Sequence, residues 1–263
     1  MMRQRIAGGA RRNWLVGAAL VAAAAMPLSA QGTGNGYLFG VPTGGLTIRA
    51  GWFIASANSD FYTEAGKDLT LDKSDFSAPT IGADLALRLT PQLDVTFDGA
   101  WIGSSQKSHY RTLVDADNKE IEQTTTLRRV PLTANLKAYL VPRGRSVGSL
   151  AYIPAKVVPW VGVGAGATWY KAEQSGDFLN VPLCTELQTE AACAVFSDDI
   201  TDDGWGPALQ GMGGVDITLT PRIALTGDAR YLWSRASMED SFSGFEKIDL
   251  SGVSVTLGVT FRL

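Results

Sequence analysis

The segment VDITLTPRIALTGDARYLW, residues 215–233, sets the problem of the fold. Val215, Ile217 and Leu219 alternate with Asp216 and Thr218. After a Thr-Pro turn, Ile223, Leu225, Tyr231 and Trp233 fall on one face, with Asp228 and Arg230 on the other. A strict period of two is the signature of a β-strand with different media on its two sides. Either the apolar face covers a soluble core and the charged face meets water, or the apolar face meets lipid and the charged face looks into an enclosed interior.

The beginning of the chain favours the second reading. Arg3, Arg5, Arg11 and Arg12 precede the apolar run Trp14 to Ala25, which leads to Met-Pro-Leu-Ser-Ala before Gln31. This is the layout of a secretory signal peptide, placed at residues 1–30, with residues 31–263 as the exported domain. The Arg11-Arg12 pair also carries a faint twin-arginine character. Beyond the leader, no apolar run approaches the roughly 20 residues that a membrane-spanning helix needs. The first thirty residues hold four of the 23 basic residues and none of the 26 acidic ones, so the mature net charge is −7 and nucleic acid is not an expected partner. Cys184 and Cys193 are the only cysteines, and in an exported chain such a close pair reads as a disulfide.

From Gly44 onward the alternation recurs in eight segments. The first sets Leu46, Ile48, Trp52 and Ile54 against Thr47 and Arg49; the second sets Ile81, Leu85 and Leu87 against Asp84 and Arg88. The third sets Leu93, Val95, Phe97 and Trp101 against Asp94, Thr96 and Asp98. The fourth places Val130, Leu132 and Leu136 opposite Thr133, Asn135 and Lys137. The fifth, PWVGVGAGATWY, opposes Val161, Val163 and Trp169 to Gly162, Gly164, Gly166 and Tyr170, the glycines leaving room in a narrow interior. The sixth and seventh are the opening stretch, and the eighth is GVSVTLGVTFRL, with Val253, Leu257 and Phe261 against Thr256 and Arg262. Each is near the 9 to 11 residues, roughly, of a tilted transmembrane strand.

Connections and tryptophans give the sheet its orientation. Leu-Thr-Pro-Gln-Leu (89–93) and Leu-Thr-Pro-Arg-Ile (219–223) are nearly the same tight turn, and the link opening with Pro142-Arg143-Gly144 lies on the same side. The other links, 57–78, 106–126, 171–204 and 235–247, are long. Short turns at one rim and long loops at the other are the pattern of outer-membrane barrels. Trp52, Trp101, Trp169, Trp205 and Trp233 all fall toward the long-loop ends on the apolar phase, as a belt at a membrane boundary would. A soluble β-sandwich offers no reason for such one-ended placement. The expected fold is therefore all-β: an eight-stranded antiparallel up-and-down transmembrane barrel.

The charged face then lines a lumen that side chains nearly fill. Arg49, Arg88, Lys137, Arg230 and Arg262 meet Asp84, Asp94, Asp98, Asp216 and Asp228, five of each sign, which predicts a cross-linked ionic interior and not an ion-selective pore.

In PWVGVGAGATWY, GGVDITLTPRIALTGDARYLW and the terminal VSVTLGVTFRL, the chain resembles the small outer-membrane β-barrel family, the OmpA-like and OmpW-like eight-stranded barrels. The resemblance implies a monomer in the bacterial outer membrane, in contact with its lipid and lipopolysaccharide. It also implies delivery by the barrel-assembly machinery through the C-terminal strand. That strand ends in Leu263 with Phe261 two residues earlier, a departure from the terminal aromatic of the family. The peptidoglycan-gripping domain of the longer OmpA-like proteins is not expected. An OmpW-like alternative function is passage of small or hydrophobic solutes through a narrow lumen or a lateral opening.

Further chemistry is sparse. Glu173, Asp177, Glu186, Glu190, Asp198, Asp199, Asp202 and Asp203 crowd the third long loop; carboxylates can bind Ca²⁺, yet the spacing is not that of an EF-hand, so a solvated acidic loop is expected and no metal or other cofactor. Lys107, Arg111 and Arg128, above the Trp101 level, are candidate lipopolysaccharide contacts. His109, the only histidine, has Ser105, Ser108 and Glu120 in its neighbourhood but in no triad-like spacing, so catalysis is not expected. The third and fourth strands continue as 110–114 and 121–125 around a turn at 115–119, a protruding hairpin with edges open to a surface partner.

Overall fold

A computed structural model of the chain describes residues 36–114, 119–148, 150–179, 195–238 and 247–263. The leader at 1–30, Cys184 and Cys193, and Glu186 and Glu190 lie outside the described residues.

Among the described residues, eight long antiparallel strands close into one ring. They are β1 (Gly44–Ala55), β2 (Ala78–Arg88), β3 (Leu93–Val114), β4 (Glu120–Tyr139), β5 (Val157–Leu179), β6 (Val195–Thr218), β7 (Ile223–Ala236) and β8 (Gly252–Arg262). Each pairs with its neighbour in sequence, and β8 closes on β1 through Val255–Trp52 and Val259–Ile48. Closure leaves no edge within the ring. The alternation reads directly as faces: Ile48, Ile81, Phe97, Leu136, Val163, Leu209 and Leu257 are exposed on the outside, while Asp98, Asn135, Gln210 and Arg230 are buried within.

The two Thr-Pro turns are built alike. In each, the Leu and Thr amides donate to the carbonyl of the residue that starts the next strand, Leu93 or Ile223, and the Thr hydroxyl accepts from the amide of that residue. The third short-rim link is a hairpin, Gly144–Val147 with Ala151–Pro154, to which Leu38–Phe39 adds a third strand.

The long-loop end departs from expectation in two ways. The stretch 171–204 is not wholly loop: β5 continues to Leu179 and β6 starts at Val195, giving strands of 23 and 24 residues, in register from Leu179–Val195 downward. With β3 and β4, of 22 and 20 residues, they form a four-stranded wall standing beyond the rest of the barrel. The link 57–78 holds a helix, α1 (Asp60–Asp68), and a 3-10 turn (Lys73–Phe76), both packed into the barrel mouth.

Candidate functional site

The interior is filled in three storeys. At mid-height, Asp84 and Asp98 are direct register partners on β2 and β3. Two carboxylates in that position repel. Two guanidinium groups straddle them: Arg49 reaches Asp84 at 2.9 Å and Asp98 at 2.6 Å. Arg230 on β7 reaches Asp98 at 2.9 Å, Asp84 at 3.0 Å and Asp228 at 2.7 Å. All five side chains are at least nine-tenths buried, so each charge depends on its partners instead of water. Gly82 makes this possible, because a Cβ there would lie 2.9 Å from the Arg49 guanidinium carbon.

Toward the short-turn rim, Lys137 sits 3.4 Å from Asp216 and 3.9 Å from the centre of the Trp160 ring, whose indole N–H donates to Asp216 at 3.0 Å. Trp160 opens β5 on the inward phase and so does not join the outward tryptophans. Asp94 takes an ion pair from Arg143, at 2.8 Å, and the Tyr139 hydroxyl donates to it at 2.9 Å. Here the expected five-against-five pairing is corrected. Arg88 and Arg262 make no ion pair among the described residues; they donate to the carbonyls of Thr90 and Pro42, and of Thr220 and Pro221, tying down the turns. Arg143, a turn residue with no strand phase to betray it, takes the place beside Asp94.

Toward the long-loop rim, an apolar cluster fills the lumen among buried polar side chains. Phe61, Tyr62, Leu69, Leu71 and Phe76 from the 57–78 link pack with Leu127, Tyr170, Met238, Ile248 and Leu250 into one buried cluster. The stopper is tied on several sides. The Asn58 amide donates to the Asp249 carboxylate and the Tyr62 hydroxyl to the Asp249 carbonyl at 2.6 Å. The Thr70 amide donates to the His109 carbonyl, and Arg129 donates to the Phe76 carbonyl at 3.2 Å. Burial pushes the Tyr62 phenol above its ordinary pKa, with Arg129 beside it pulling the other way, so the hydroxyl stays a donor. Arg129, wholly buried, lies 5.1 Å from the Phe53 ring centre. Its inward position follows from the phase it shares with Thr133 and Lys137, although sequence reasoning passed over it.

On the outside, pairing sets Trp101, Trp169 and Trp205 in one row. Gly99 faces Leu132 and Ile102 faces Arg129, which sets Trp101 opposite Val130; Val130 pairs with Trp169, and Trp169 with Trp205. Trp233 pairs with Leu209, and Trp52 with Pro79 and Val255. The candidate lipopolysaccharide cations are not one cluster. Arg128 stands two residues beyond Val130, about 7 Å along the strand, whereas Lys107 and Arg111 stand about 20 and 33 Å beyond Trp101. Arg128 pairs in register with Lys171 and bridges Glu173 at 3.4 Å. Arg111 donates to the Gly66 carbonyl.

The remaining candidates separate. His109 approaches Glu120 at 3.7 Å and the Thr70 hydroxyl at 3.5 Å. Ser108 is buried on the opposite face of the strand, and Ser105, four residues away and bonded to Thr126, is about 13 Å along it. Among the described residues, neither serine hydrogen-bonds to His109. Asp198, Asp199, Asp202 and Asp203 sit on β6 with alternating phase, Asp202 turned inward onto the Tyr170 hydroxyl; Glu173 is engaged by Lys171, and Asp177 accepts from Ser197. Among the described residues, no three acidic, His or Cys groups converge on a metal position.

A family model described as outer membrane protein beta-barrel domain matches residues 16–261. Among solved structures, the chain is similar to the outer membrane protein OprG from Pseudomonas aeruginosa, at 16% identity over 86% of this chain and 99% of that one, with a TM-score of 0.46. It is similar also to Ail of Yersinia pestis, at 14% identity over 84% and 99% with a TM-score of 0.40, and to the Escherichia coli outer membrane protein W, at 16% over 84% and 99% with a TM-score of 0.38. No curated protein matches the chain in sequence.

Proposed function

The chain belongs to the outer-membrane β-barrel family and resides in the bacterial outer membrane, and from that premise we propose that it acts as a closed barrel carrying a rigid four-stranded wall to the cell surface, without conducting solutes and without catalysis. The short-turn rim then faces the periplasm and the long-loop rim the exterior.

The observation that carries this reading is the continuity of the filling. The apolar stopper lies over five interlocked charges, and these lie over the Lys137–Asp216–Trp160 group. A pore would require both an opening of the stopper and a separation of buried ion pairs, each of which leaves polar groups uncompensated. The wall formed by β3 to β6 is the part offered to partners. Its base meets the lipopolysaccharide layer: Arg128 and Lys171 stand directly above the Val130–Trp169 level, and Arg235 two residues beyond Trp233, where phosphates would lie. The protein works as a monomer, inserted by the assembly machinery through β8.

Purified protein in planar bilayers tests the reading. A silent membrane over a range of voltages is expected. Stable, stepwise conductance would overturn it and favour the passage of small or hydrophobic solutes.

A further inference from the structure

The periplasmic end of the lumen holds a cavity of about 60 Å³ that the filling above leaves blind. Its wall carries four cations, Arg88, Lys137, Arg143 and Arg262, and two carboxylates, Asp94 and Asp216. Lys137 is matched by Asp216 and Arg143 by Asp94. Arg88 and Arg262 make no ion pair among the described residues, although Arg262 feels the charge of Asp216 across the cavity. A guanidinium has five N–H donors. Arg88 commits two to the Thr90 and Pro42 carbonyls, and Arg262 three to the 218–221 turn, so each keeps donors in hand.

A second, independent observation points into the same space. Tyr152, on the middle strand of the small three-stranded sheet, is 95% buried and lines the cavity, yet its hydroxyl makes no hydrogen bond among the described residues. The hydroxyl is not among the fully enclosed unpaired polar atoms, so it stays open to a polar group that enters this space. The sheet that carries Tyr152 thereby has a role beyond connecting β4 to β5: it brings a neutral donor to face two arginines across a cavity of a few water molecules.

We propose that this vestibule is a binding site for a phosphate group. A surplus of two positive charges, planar guanidinium donors and one neutral hydroxyl suit a compact tetrahedral oxyanion; a carboxylate-lined metal site or an apolar ligand site would need the opposite balance. The group can reach the cavity from the periplasm, either as free phosphate or as the headgroup of an inner-leaflet phospholipid. The site rests on the closed-lumen reading only in being blind. Binding is measured without reference to conductance, so the two ideas fail separately.

The test is calorimetric titration of the full chain, folded in a maltoside detergent free of phosphorus, with inorganic phosphate in one arm and a short-chain phosphatidylglycerol below its micellar concentration in the other. Saturable binding in the first arm supports a soluble ligand, and binding in the second alone supports the headgroup. Tyr152→Phe keeps the ring packing and removes only the donor; it should weaken binding about tenfold, the worth of one hydrogen bond to a charged group. The double variant Arg88→Gln/Arg262→Gln should abolish it, with folding checked by retained heat-resistant gel mobility. Absence of binding in both arms, or affinity untouched by Tyr152→Phe, would overturn the proposal.

Discussion

Replacing Arg230 by Met should be the most damaging single change at mid-barrel. The cluster has two cations, Arg49 and Arg230, against three carboxylates, Asp84, Asp98 and Asp228. At about 3 Å and an effective dielectric near 20, each contact has a gross attraction of about 5 kcal/mol, offset by several kcal/mol of desolvation per ion. The intact cluster therefore adds little net stability. Its loss is a different matter, since Arg230→Met leaves three buried carboxylates around Arg49 alone and moves the cluster from a net charge of −1 to −2. Breaking buried pairs in this one-sided way costs about 3–5 kcal/mol. Asp228→Asn, which keeps Arg230 on Asp84 and Asp98, should cost about 1–2 kcal/mol. Adding Asp98→Asn to Arg230→Met restores the net charge of −1 and should recover roughly 2 kcal/mol, a coupling of the size neighbours show. Urea unfolding from lipid vesicles, followed by tryptophan emission and by gel mobility, gives the three values. The reasoning is refuted if Arg230→Met costs less than about 1 kcal/mol, or if Asp98→Asn makes the Arg230→Met protein worse.

Three other changes probe the remaining storeys. Gly166→Ala drives a Cβ into the Leu132 carbonyl oxygen, so β4 and β5 cannot keep their spacing, and the yield of heat-resistant folded barrel should fall sharply. Variants retaining a single tryptophan should divide in vesicles of brominated lipid: Trp169 emission is strongly quenched, whereas that of Trp160, enclosed with Lys137 and Asp216, is nearly unaffected. Equal quenching would show that the phase of β5 is wrong. Tyr62→Phe removes the bond to the Asp249 carbonyl, worth about 1–2 kcal/mol locally, so amide exchange should accelerate in 60–68 and 248–250 and stay unchanged in β1 to β8.

What the sequence discloses follows from where the two faces of a strand meet different media. Across the membrane-spanning part, lipid lies on one side and a charged interior on the other, so Asp216 against Val215 and Arg230 against Tyr231 announce both strand and face. The twin Thr-Pro turns are equally plain, because Pro and the Thr hydroxyl fix a local geometry that needs no distant partner. Phase, however, gives a face and not a neighbour. It placed Arg88 and Arg262 on the inside without saying that both lie at the rim, within reach of turn carbonyls, and it was silent on Arg143, which belongs to no strand. Past the tryptophan row the asymmetry itself disappears. Strands β5 and β6 run on through Glu173, Asp177, Asp199 and Asp203 with polar residues on both faces, so the alternation fades where the pairing does not, and the extension reads as loop. The stopper escapes for a related reason: Phe61, Tyr62, Ala65 and Leu69 keep a helical spacing over barely two turns, too short to stand out, and the helix owes its stability to the mouth it fills. The parts that close the lumen and furnish the vestibule are thus the parts whose environment is supplied by tertiary contact alone, and a period-two reading can find them only by asking what each inward charge could reach.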